Sequence, residues 1–373
     1  MIAGTDRELK MLDKASAEFA RKELAPERQE NDRYPDAPLF EKTIKKAYDL
    51  EYFHIILPEA LNGVGQGVAA LCVILYNICR EDSSLGGLIF TNAAAQELHI
   101  AAGAEEILKA VTEPADSVYN FLIAAPVFNN PRDMDNAADA AMQDGRYLLS
   151  GRVEYTVAGN IARHAVVPAK TEDAAGCSFF LLDLSSEGVT VSAPIPSLGL
   201  HACPAVDITL DRVPCSLLGQ VGEGPQYFGK MAGRMSAAAA AMSAGIMKGS
   251  LTEALEYSRG RFQGGKRIVD WSEIRMMLAE MAVKVKTAEC MVSRISQGID
   301  QQETGWQEYA EAAAIDIQRS ACGLTTDGIQ VLGGVGYMKD FGQEKRFRDA
   351  KHIQALLGMV PTKKLRLIEG MFR

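Results

Sequence analysis

The sequence predicts an α+β fold built as helices, then a β unit, then helices again, and three observations predict it. Apolar residues recur at helical spacing over 1–115, short alternating runs fill 116–224, and long amphipathic stretches occupy 225–373. The middle unit reads as a barrel or sandwich, and the last as a four-helix bundle. A chain of 373 residues that is 47% hydrophobic has material for more than one simple core.

Residues 6–24 place Leu9, Leu12, Ala15, Phe19 and Ala20 on one helical face until Pro26 ends the run. A short helix follows over 36–49, then a glycine-rich turn around Gly63, Gly65 and Gly67. The segments 68–79 and 85–102 are too long and too rich in alanine for strands, so they predict buried helices. His99 falls inside the second, where a packed, hydrogen-bonded imidazole is expected; His54 and His164 read the same way.

From Val118 onward, the runs NFLIAAPVF, GRYLLSG, HAVVPA, SFFLLDL, GVTVSAPI and VDITLDRV predict strands, and the polar stretch 129–139 predicts a loop. Helical periodicity then returns over 229–260, 271–297, 306–326 and 349–372, the last interrupted near Pro361. Between these lie Gly333, Gly334 and Gly336, a tight turn where backbone can approach a phosphate or a flat ring, and then a charged run from Lys345 to Lys351. A solvated helix face is the competing reading of that run.

A net charge of −9 argues against a nucleic-acid or anionic membrane partner, which selects a basic face. The seven cysteines show no CxxC and no zinc spacing, which predicts reduced thiols and a cytoplasmic setting. No signal peptide or membrane span is visible; the alanine run 237–241 is broken by Ser243 and Lys248.

Several motifs in order resemble the acyl-CoA dehydrogenase family. They are Tyr257, Arg261, Gly264 and Gly265 in YSRGRFQGG, Leu278-Ala279-Glu280-Met281, DGIQVLGGVGYMKDF and RFRDAK. The resemblance implies FAD bound between neighbouring subunits, an acyl-CoA substrate, a glutamate that removes the α proton, and transfer of electrons to an electron-transferring flavoprotein. It also implies departures. The family's glutamate stands six residues after the lysine of Arg-Asp-Ala-Lys, where this chain has Leu357 before Gly358. A second family location for the base, in the first long bundle helix around Arg234, offers no carboxylate at Gly233, Met235 or Ser236. The flavin-facing segment of the β unit corresponds to Ala124 through Pro131, with only its proline kept, and the later one to Gly151 through Val157. There Tyr155 can stack on a flavin ring, whereas Val157 lacks a hydroxyl donor.

What is kept, by the same resemblance, is the part that reaches a neighbour's cofactor: Arg261, with Gln330, Gly333 and Gly334, for the pyrophosphate and adenosine arm. A surface pairing of Arg261 with Glu253 or Glu256 is the plainer alternative. The expected function is a subunit without its own base that completes the FAD site of an intact paralogous subunit. The alternative is an FAD-dependent enzyme acting on a CoA thioester by other chemistry, with Arg163, Arg212 and His201 as contacts for CoA or an acidic acyl tail.

Overall fold

The computed structural model describes residues 6–34, 38–130, 138–172 and 174–372. The amino-terminal part is helical: α1 (Arg7–Phe19), α2 (Arg28–Asn31), α3 (Glu41–Asp49), α4 (Val68–Glu81), α5 (Ser83–Ala101), α6 (Glu105–Thr112) and α7 (Val118–Phe121). Asp6 caps α1 by accepting from the Leu9 N–H at 2.9 Å, and a π-helical turn, Ala20–Leu24, carries the chain to Pro26. Nearly every residue of α4 and α5 is buried, in keeping with their largely apolar and alanine-rich character. His99 lies in that interior with Nδ1 2.8 Å from the Ala95 carbonyl oxygen. Residue 36, where the next helix was expected to begin, lies outside the described residues; α3 starts only at Glu41.

The β unit is a closed barrel. Its strands are β1 (Ile123–Ala124), β2 (Ala138–Gln143), β3 (Arg146–Val157), β4 (His164–Thr171), β5 (Ser178–Asp183), β6 (Val189–Val191) and β7 (Ala205–Leu218). The pairing β4–β2–β3–β7–β5 returns to β4, so closure removes the free edges that a flat sheet would expose. β1 lies parallel to β4, and β6 lies on β7. Two sequence expectations fail here. Val118–Phe121 forms a helix capped by Ser117, since the serine hydroxyl accepts from the Asn120 N–H. Residues 138 and 139, expected in a loop, begin β2 because Ala138 and Asp139 pair with Ala169 and Lys170; 131–137 of that loop lie outside the described residues.

The carboxy-terminal helices are α8 (Gly224–Gly260), α9 (Ser272–Asp300), α10 (Trp306–Leu332), α11 (Gln343–Ile353) and α12 (Val360–Met371), with a small hairpin of β8 (Phe262–Gln263) and β9 (Lys266–Arg267) after α8. The stretch 349–372, expected to be interrupted near Pro361, is two helices, and the first begins earlier, at Gln343. Gly358 at φ 107° turns the chain, and Pro361 stands in the first turn of α12, where its missing N–H costs no helix bond. No helix among the described residues is long and apolar enough to cross a membrane.

The central helix is α8, packed against α4, α5, α9 and α10. Its alanines 237–241 are all buried, and small side chains let the neighbouring backbones approach. Gly245 marks the tightest crossing, since an added Cβ would lie 2.3 Å from the Tyr76 carbonyl oxygen. Helix propensity favours alanine there by about 1 kcal/mol, but overpacking costs about 1–3 kcal/mol, and a backbone oxygen cannot rotate aside. Gly245→Ala is therefore expected to lower the urea midpoint of unfolding; a raised midpoint would refute the close α4–α8 crossing.

Candidate cofactor-arm site

Arg261, the residue after α8, follows a helix whose last N–H bond runs from Arg261 to the Tyr257 carbonyl. The β8–β9 hairpin then folds the chain back, with Gly264 at φ 65° and Gly265 at φ 87° in its turn. Across from it, α10 ends at Gly333, whose φ of 64° and ψ of −138° suit glycine. Arg261, Gln330 and Gly333 thus line one open cleft of about 420 Å³, together with Tyr257, Trp271 and Leu332.

The chemistry of this cleft is a cation at a mixed wall. Among the described residues the Arg261 guanidinium has no ion pair, and Glu253 is already held by Arg28 at 2.5 Å and Arg346 at 3.3 Å. The plainer alternative for Arg261 is therefore unsupported as far as Glu253 goes. Trp271 stands over the hairpin turn, with its Nε1–H donating to the Gln263 carbonyl at 3.2 Å and the Lys266 ammonium 4.0 Å from the ring centroid. An arginine fork, an amide and an aromatic wall are the donor set and surface that a dinucleotide diphosphate arm requires. Trp271 escaped sequence reading because its place over Gly264 depends on the hairpin fold.

The glycines act differently from expectation. The Gly333 N–H is used within the chain, capping α10 by donating to the Ile329 and Gln330 carbonyls, so it offers clearance and no free donor. Open space surrounds Gly334, which follows the cleft and is not part of its lining. Gly336 is structural: an added Cβ would meet the Ile329 carbonyl oxygen at 2.5 Å.

Tyr155 lies elsewhere, on the barrel. A register shift between Val153 and Thr156 in β3 puts it at φ 53°, with its N–H donating to Asp207 at 2.9 Å. The bulge aims the ring at α11, where its hydroxyl lies 2.9 Å from His352 Nε2. His352 Nδ1 lies 2.8 Å from the Gly199 carbonyl oxygen, so the proton on Nδ1 is donated there and Nε2 accepts from the tyrosine. Phe128 packs edge-on to Tyr155 at 5.5 Å and against His352 at 4.6 Å between centroids. Burial pushes the Tyr155 phenol up to about 12 and holds the His352 imidazole below its usual value. Two rings, Phe128 from a loop and His352 from α11, thus pack beside Tyr155, and all three side chains are half-buried. Sequence reading found Tyr155 and missed Phe128 and His352; the position of His352 directly after the Arg-Asp-Ala-Lys segment was the available signal.

Leu357 is buried, with φ 63°, and its N–H donates to the Val127 carbonyl at 2.7 Å. The other polar candidates are engaged internally: Arg163 with Asp183, Arg212 with Gln143, Arg234 with Glu97, and His201 with Asp32 and the Ser197 carbonyl. They are not brought to one place. Most of the charged run before Leu357 is not a solvated face, although Lys351 at its end is exposed. Lys345, Arg346 and Asp349 are buried, and Arg348 pairs with Asp32 and Glu344.

Burial alone would raise the Asp32 carboxyl, but hydrogen bonds from His201 and Arg348 outweigh it and bring it down to about 2. A folded value below the ordinary 3.8 contributes stability above that pH and loses it as pH falls towards 2. The stability difference between the protein and Asp32→Asn is expected to shrink over that window in acid denaturation. A difference unchanged down to pH 2 would refute the assignment.

Residues 6–114 match the model of the acyl-CoA dehydrogenase N-terminal domain, and residues 222–363 match that of the acyl-CoA dehydrogenase C-terminal domain. Among curated proteins, the caffeyl-CoA reductase-Etf complex subunit CarC of Acetobacterium woodii is 26% identical over 97% of this chain and 97% of its own. Cyclohexane-1-carbonyl-CoA dehydrogenase of Geobacter metallireducens is 27% identical over 95% of this chain and 94% of its own. The butyryl-CoA dehydrogenase structure from Megasphaera elsdenii superposes with a TM-score of 0.87 at 21% identity, covering 99% of both chains, and supports the fold.

Proposed function

Because this chain belongs to the acyl-CoA dehydrogenase superfamily, whose two domain models it matches, we propose that it is the companion subunit of a heteromeric FAD-dependent acyl-CoA dehydrogenase. The observation that carries the reading is the contrast between two places. Arg261, Gln330 and Gly333 line an open surface cleft, whereas Tyr155 is already engaged, its ring packed edge-on to Phe128 and its hydroxyl bonded to His352. A surface arginine without an ion pair among the described residues is free to hold the pyrophosphate of a cofactor seated in a neighbour. A tyrosine already held by His352 disfavours an isoalloxazine on this chain, and a buried flavin also needs its polar edge paired.

On this reading FAD, when bound at the interface, supplies the hydride acceptor, and the paralogous subunit supplies the base that removes the α proton of the acyl-CoA. This chain contributes Arg261 and Gln330 to the cofactor's diphosphate and adenosine arm. Leu357 cannot accept a proton, so the chain's own equivalent position contributes no general base. Domains 1–115, 116–224 and 225–373 are proposed as its units, and an electron-transferring flavoprotein as the acceptor beyond the flavin.

The test is flavin-to-chain stoichiometry by absorbance and released-cofactor quantitation, on the chain alone and after co-expression with the paralogue. One flavin per unlike pair and none on the chain alone is expected. One flavin per chain in a homo-oligomer would reject the companion reading in favour of a self-sufficient enzyme with different chemistry.

A further inference from the structure

We infer that α9 pairs with α9 of a second copy of this chain, antiparallel about a twofold axis through Val283. The helix carries two apolar seams. The inner one steps by alternate threes and fours from Leu278 to Ile299 and is buried against α8, α10 and α4. The outer one repeats every seven residues at Met276, Val283 and Cys290, all three exposed. Met276 and Val283 each keep 65% of their surface exposed. A valine there gains neither burial nor helix propensity, since its branched Cβ lowers the latter. Seven-residue spacing is the period at which two helices hold one seam in contact over several turns.

Symmetry selects the occupant. Counted outward from Val283 in both directions, the exposed residues match: Glu280 three before and Lys286 three after, Ala279 and Thr287 at four, Met276 and Cys290 at seven. In an antiparallel pair centred on Val283, Met276 meets Cys290 of the second copy, and the small Ala279 and Thr287 let the backbones approach. Glu280 then stands level with Lys286 of the second copy, twice over. Lys286 is held by Glu289 at 2.9 Å yet keeps 69% of its side chain exposed, with room for a second carboxylate. A parallel pair would instead set Glu280 against Glu280 and Lys286 against Lys286. An isologous contact requires this self-complementarity, whereas a partner of different sequence does not.

The pairing leaves the Arg261 cleft open. Trp271 on the cleft wall precedes Val283 by twelve residues, so the two clefts lie about 36 Å apart along the paired helices, at opposite ends. Resting on the companion reading above, each cleft faces one paralogous subunit, and the assembly holds two of each chain.

The experiment is sedimentation equilibrium of the purified full-length chain without the paralogue. The unaltered chain is expected to be a dimer at micromolar concentration. Val283→Glu and Val283→Lys should each weaken self-association at least about a hundredfold, since like charges then meet at the axis, and mixing the two variants should restore the dimer. Only a residue that faces its own copy gives that recovery. A monomeric unaltered chain, a mass that Val283→Glu leaves unchanged, or a mixture no more associated than its parts would overturn the pairing. A homotetramer that Val283→Glu splits into dimers would keep the pairing and reject the companion reading. Should the charged variants fail to fold, Val283→Cys in a Cys290→Ser chain decides. It should form a covalent dimer on mild oxidation, whereas Met11→Cys in the same background, equally exposed at 65%, should not. Linking by both or by neither would overturn the pairing as well. These readouts are masses and contain no flavin, so they fail or succeed independently of the cofactor stoichiometry.

Discussion

Arg261→Ala in the unlike pair is expected to weaken FAD binding by about ten- to a hundredfold, because an arginine–phosphate contact contributes about 1.5–3 kcal/mol. The guanidinium has no ion pair to lose among the described residues, so the folded chain should keep its stability while the pair loses flavin. Arg261→Lys should fall between the two, since it keeps the charge and loses the planar fork. Tyr155→Phe is the opposing control: it removes only the hydrogen bond to His352, and flavin content should not change. Flavin released on ultrafiltration, measured by its fluorescence across a dilution series, gives the affinities. Full retention by the alanine variant, or loss of flavin from the phenylalanine one, would invert the assignment of the two sites.

Lys345→Met is expected to cost about 3–5 kcal/mol of unfolding free energy, the largest effect foreseen for stability. Lys345 is 3% exposed and pairs with Asp349 at 2.6 Å and Asp82 at 3.3 Å. Burial alone would lower its ammonium, and the two carboxylates more than offset that, holding it above its usual range. Both acids carry structural bonds. Asp82 caps α5 through the Ser84 N–H, and Asp349 accepts from the Leu200 N–H of the β unit's last long loop. Methionine would strand two buried carboxylates between α4, α5 and α11. A second substitution, Asp349→Asn, should recover part of the loss by removing one of them, and urea unfolding of the four-member cycle measures the coupling. A cost below about 1 kcal/mol would show that the pair behaves as a surface ion pair.

The fate of this charged run separates what was legible from what was not. Lys345 through Lys351 reads equally as a solvated face or as a ligand-binding face, because a charge pattern carries no information about distant partners. The partners are Asp32 for Arg348 and Asp82 for Lys345, separated by 316 and 263 residues in sequence. Tyr155 makes the same point. Its ability to stack on a ring was legible, yet the Phe128 and His352 rings that occupy its surroundings come from a loop and a helix brought there by packing. The burial of Lys363 was illegible for the same reason, since it depends on α12 folding against α10.

By itself the sequence determined the order of helices, β unit and helices, the long buried helices α4, α5 and α8, and the turn glycines. Each follows from apolar periodicity or a local φ requirement within a few residues. Through the family resemblance it also grouped Arg261, Gln330, Gly333 and Gly334, although 69 residues part the first two. Only the tertiary structure decided that the β unit closes into a barrel, that most of the charged run is buried, and that the Arg261 cleft is open while Tyr155 is bonded to His352. Those outcomes depend on which surfaces meet across hundreds of residues, and meeting surfaces fix desolvation and charge pairing, which local pattern does not encode.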